Sequence, residues 1–129
     1  MSDVSWQLVL SLGATGIVMA LVSCFVGLRP KVENPAWWGL YAVWIAIVLA
    51  LGDATPFRTV LFASIVAGGL HGVTTSLCID RYIVSNPWHA ERMQAPKSKL
   101  RLMFCATGIL VGTVFGAVVA GIAWGLARI

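Results

Sequence analysis

Long apolar runs alternate with short polar connections along this chain, and four of the runs are long enough to cross a bilayer. A spanning helix needs about 20 apolar residues. The pattern predicts spans over roughly 6–28, 36–52, 59–80 and 102–127, with a basic loop over 81–101. The five prolines are expected in the connections, where a missing N–H does no harm. The leader MSDVSW carries no Lys or Arg, and the run behind it is too long for a signal-peptide core. That first run is therefore expected to be a retained span. The predicted fold is all-α, a single transmembrane domain over 1–129 built as an up-down four-helix bundle.

Composition agrees with that pattern. Hydrophobic residues make up 59% of the chain and charged ones 11%, with a mean hydropathy of +0.88. Soluble domains carry about 45–50% apolar and about 25% charged residues. A chain this apolar has too little polar surface to cover itself in water. Seven of the nine Lys and Arg residues fall in the first and third connections, from Arg29 and Lys31 to the group Arg81, Arg92, Lys97, Lys99 and Arg101. The positive-inside rule then places those connections in the cytoplasm and both termini outside. A bacterial inner membrane fits this reading, with the basic loop against anionic headgroups. Charge confined to connections does not form a nucleic-acid face. Trp37, Trp38 and Tyr41 read as anchors at one interface, and Trp6 and Trp124 as anchors at the other.

Span four carries Gly108, Gly112, Gly116 and Ala120 in steps of four, with a second row at Ala117, Gly121 and Gly125. Residues four apart share a helix face. Small residues in such a row let two backbones approach closely, as in a glycine zipper. The helix is expected to pack tightly, inside the bundle or against a second copy of the chain. Gly13 and Gly16 of span one are expected against it. Span two is bulkier, with Trp44, Ile45, Ile47, Val48 and Leu49, and is expected to face lipid.

Span three is amphipathic inside the membrane. Ser64, Gly68, His71, Thr75 and Cys78 follow seam spacing, and Gly72, Ser76 and Asp80 form the adjacent row. Lipid cannot satisfy those groups, so they must face protein or water. His71 falls near mid-span, and an intramembrane ionisable residue is a functional-site hypothesis by default. The predicted function is passage of an ion or small polar solute through a homo-oligomer, along Ser64, His71, Thr75 and Asp80. The alternative is a non-transporting accessory or assembly subunit of a larger membrane complex, docked through span four. A plainer role for His71, Thr74, Thr75 and Ser76 is hydrogen bonding between helices.

Other chemistry finds less support. Cys24, Cys78 and Cys105 lie at similar depth and could offer soft metal ligands, but no CxxC spacing is present and free cysteine is also an ordinary buried residue. A bis-histidine haem would need a second intramembrane histidine, and His89 falls in the basic loop. No HExxH, GxSxG or P-loop motif occurs. A lipid-modifying site at His89, Glu91 and Arg92 is the one enzymatic option. The expectation is a non-catalytic protein without a resident cofactor or metal.

Overall fold

A computed structural model describes residues 4–129; the leader residues 1–3 lie outside them. Among the described residues the chain is helical and without strands, and four helical stretches are long and apolar enough to cross a membrane. The first is α1 (Trp6–Gly13) followed by α2 (Thr15–Phe25). They meet at Ala14, where the Ile17 N–H reaches the Ala14 carbonyl at 3.0 Å and tightens the turn. The Thr15 hydroxyl donates to the Leu12 carbonyl at 2.6 Å beside this joint.

Helix α3 (Pro30–Ala50) starts six residues before the predicted span 36–52. Pro30 opens it at a position that needs no N–H, but Pro35 lies inside, which corrects the expectation that every proline sits in a connection. The helix ends in a Schellman motif. Gly52 takes φ +62°, its N–H bonds the Leu49 carbonyl at 3.0 Å, and the Asp53 N–H bonds Val48 at 3.2 Å. Asp53 Oδ1 then accepts from the Thr55 N–H at 2.9 Å, which orders the turn into α4 (Pro56–Leu77).

The predicted span 59–80 is cut short by a break at Cys78, after which α5 (Ile79–Ser85) and a 3-10 segment (Pro87–Met93) follow. Helix α6 (Lys97–Leu126) begins five residues before the predicted 102. The basic segment 81–101 is therefore mostly helical rather than a loop. The reason lies in the apolar residues at its start: Tyr82 within it and Ile79 just before it are buried, and helix formation satisfies the backbone beside them.

Helix α4 touches each of the other spanning helices, and α6 most extensively. The α4–α6 seam runs antiparallel through Ser64 with Gly112 and Gly116, Gly68 with Gly108, Gly72 with Phe104, and Ser76 with Arg101. A Cβ on Gly68 would strike the Gly108 carbonyl oxygen, and a Cβ on Gly108 would strike that of Gly68. Close approach here leaves no space for any side chain. Ser76 Oγ adds polar contact, 2.7 Å from the Gly72 carbonyl and 2.8 Å from that of Arg101. Ala120 is fully buried in the same row, whereas Gly121 and Gly125 have nothing within 4 Å.

Gly13 and Gly16 pack on α4 rather than on span four. A Cβ on Gly13 would fall 2.6 Å from Val66 Cγ1, and one on Gly16 would meet the Ala67 backbone. Small residues thus line two faces of α4, one for each neighbour. Helix α3 is more peripheral, with Val43 exposed on its outer side. It is not simply lipid-facing, because Tyr41, Trp44 and Val48 are buried against Val60, Ala63, Val119 and Ala123.

Candidate functional site

Tyr41 and Trp37 position α3 against the polar side of α4. The Tyr41 hydroxyl lies 3.1 Å from Ser64 Oγ, and the Trp37 ring meets the His71 imidazole edge-on at 5.5 Å between centroids. Below this level the two helices and α6 enclose a crevice of about 610 Å³. Its floor is formed by Gly68, Gly108 and Gly112 of the seam, its aromatic walls by Trp37, Trp38, Tyr41, Phe104 and Phe115. Toward the end that carries the basic residues, Glu33, Asn34, Tyr82, His89 and Arg92 line it.

His71 Nε2 is buried and, among the described residues, has no hydrogen-bond partner. An imidazole offers a donor and an acceptor, and leaving one unpaired in a low-dielectric site costs about 1–3 kcal/mol. The His71 side chain lines the crevice, while Nε2 itself is covered by the surrounding protein. Tyr82 stands at the basic end on α5. Burial, followed by the Glu33 carboxylate and Cys24, pushes its phenol up to about 12, so it stays a neutral hydroxyl. His89 stacks on it at 6.5 Å, and the Trp88 ring lies under the Arg29 guanidinium at 5.8 Å. Asn86 fixes this corner: its side-chain N–H donates to the Ser23 and Tyr82 carbonyls, each at 2.8 Å.

The four residues predicted to line one path are not brought together. Ser64 is fully buried between Tyr41 and Gly116. Thr75 is fully buried beside Cys24 on the α2 side of α4. Of the four, only His71 lines the crevice. Asp80 lies beyond the end of α4, exposed, paired with Lys97. The Lys97 hydrogen bond and charge hold its carboxyl below the usual range. The pair is intact above the ordinary aspartate pKa and is lost as pH falls through the lowered native value. Being open to solvent, it should count for little. Asp80→Asn is expected to leave thermal unfolding in detergent nearly unchanged at pH 7; a large drop would show that the pair holds α5 in place.

Cysteine does not assemble a metal site. Cys24 and Cys78 neighbour each other at the end of α2, while Cys105 lies across α4, 3.3 Å from Ser76 Oγ. No group of three or more potential ligands occurs among the described residues.

Sequence reasoning missed the α3 half of the crevice. Trp37, Tyr41, Trp44 and Val48 are spaced 4, 3, 4, the same seam signature that was read on span three. Reading the first two as interfacial anchors hid that pattern.

The fold and crevice define a helical membrane protein with a laterally placed aromatic cavity. The chain matches no protein family, no curated protein and no solved structure.

Proposed function

We propose that the protein is a small transporter or channel that passes a solute bearing a polar group, and that the crevice ending at His71 is its solute site. The observation that carries this reading is a cavity descending from the basic end to the His71 side chain, whose Nε2 is buried and, among the described residues, has no partner. Ser64 and Thr75 leave the proposed path because both are sealed inside the chain. The alternating spans are read as an up-down bundle, with the basic end in the cytoplasm of a bacterial inner membrane and against anionic headgroups. Self-association is placed on the outer face of α6, where Ala117 is exposed and Gly121 and Gly125 are free of neighbours. The same open row supports the second reading, an accessory subunit docked through α6 onto a larger membrane complex.

Reconstituted protein should release or take up small polar solutes from liposomes. His71→Ala should lower that flux about tenfold, the effect of losing about 1.4 kcal/mol of interaction. A protein that passes no member of a broad ion and solute panel, yet co-purifies with a stoichiometric membrane partner, would replace transport with the accessory reading.

A further inference from the structure

The lining of the crevice narrows what it can hold. Its rim between α3 and α6 consists of Trp38, Val111 and Phe115, which are 47%, 44% and 43% exposed along the apolar length of the spans. Trp38 and Phe115 meet edge-on at 5.9 Å between centroids and bridge α3 to α6, so a molecule dissolved in the hydrocarbon would enter beside Val111, on the basic side of that pair. Glu33 and Arg92 supply one formal charge of each sign. That balance selects no ion of either sign, and it gives an anionic headgroup no net attraction.

Polar groups sit at two levels. His71 is level with Trp37. Asn34, three residues earlier on α3, lies about 4.5 Å nearer the basic end. Tyr82 and His89 add donors at that end. Between and around the two levels the walls are aromatic, and such walls favour a flat ring set edge-on or offset against them. A free ion would leave those walls unused, and a plain hydrocarbon would leave both polar levels unpaired.

We propose that the crevice binds a neutral amphiphile with a planar ring that accepts hydrogen bonds at both ends, a lipid-soluble quinone or a close chemical relative. One ring oxygen pairs with His71 and the other faces Asn34 and Tyr82, while the hydrocarbon tail leaves beside Val111 into the bilayer. This ligand class rests on the crevice being the solute site of the proposed function.

The test uses the full-length protein in liposomes titrated with a short-tailed benzoquinone, with tryptophan fluorescence as the readout. Native protein should show a saturable quenching component above the linear collisional background. Its affinity should fall about tenfold in His71→Leu. It should return in His71→Gln, whose amide also donates and accepts. Asn34→Leu, at the other end of the ring, should weaken binding independently and carries the comparison if His71→Leu does not assemble. An alkyl sulfate of matched tail length, anionic and without a ring, should not compete. Purely linear quenching of the native protein overturns the inference, as does displacement by the alkyl sulfate or indifference to both substitutions. Linear quenching alongside His71-dependent flux of polar solutes removes this ligand and leaves the transport reading. Saturable, His71-dependent quenching without any flux supports this ligand and removes passage.

Discussion

Gly108→Val is expected to separate α6 from α4 and to destabilise the fold by about 1–3 kcal/mol or more. The collision it creates is with a backbone carbonyl, that of Gly68, and a carbonyl in a helix cannot rotate aside as a side chain can. Relief requires the helices to move apart. That movement weakens the neighbouring contacts together: Ser64 with Gly112 and Gly116, Gly72 with Phe104, and the Ser76 hydroxyl with the Arg101 carbonyl. In a bilayer the loss is mostly one of packing and interhelical bonding, because lipid solvates the separated apolar faces as well as a neighbour does. The floor of the crevice is part of the same seam, so solute binding should fail along with assembly. Gly121→Val is the matched control. Nothing lies within 4 Å of that position, so the monomer should fold normally and only self-association should change. Thermal unfolding and sedimentation in mild detergent separate the two results. Equal loss of stability in both variants would mean that the seam is not where the fold is held.

The outcome at these two glycines also shows what kind of information a small-residue row carries. Spacing at four identifies a face that something approaches closely, but not the partner. The row through Gly108, Gly112 and Gly116 was legible as a packing face, while Gly13 and Gly16 were assigned to the wrong neighbour. Their true partner, α4, meets them at Ala63, Val66 and Ala67, while its own Gly68 and Gly72 serve the α6 seam. Polarity had the same ambiguity. Ser64, His71 and Thr75 do face protein, as their setting in lipid demands, but they point to α3 and α2 sectors rather than to one lumen. A hydroxyl can return a hydrogen bond to its neighbours at low cost, so Ser and Thr on a membrane helix say little about water. The imidazole is harder to satisfy and was the most informative single signal for the crevice, although in α4 it lies six residues from the basic end rather than at the expected mid-span. The break at Cys78 was not legible, because neither Gly nor Pro marks it, and the chain reads as continuous helix into Asp80.

Asn86→Leu should be the most damaging single change outside the spans, costing about 1–3 kcal/mol for the buried acceptor it leaves behind. At the end of α2 the Gly27 N–H turns to the Val22 carbonyl, and the Ser23 carbonyl accepts from Asn86 instead. Helix ends leave such carbonyls without intrahelical donors, and a buried one must be met by another group. Asn86 is 2% exposed and spends its amide on Ser23 and Tyr82 at once. It thereby ties α2 to α5 and to the 3-10 segment that holds His89 and Arg92 at the mouth of the crevice. Leucine keeps much of the volume but offers no donor. Asn86→Asp should be worse than leucine at neutral pH, because a carboxylate would face two carbonyl oxygens. That order, asparagine above leucine above aspartate, is opposite to what polarity alone would give and is read directly from thermal unfolding. The aspartate variant should recover toward the leucine variant as pH falls, since a protonated carboxyl regains one donor. Hydrogen exchange should show the loosening first over residues 79–93, while the α4–α6 seam stays protected. Loss of protection along the seam at the same rate would mean that the basic end and the membrane core unfold as one unit, and that Asn86 holds more than the mouth of the crevice.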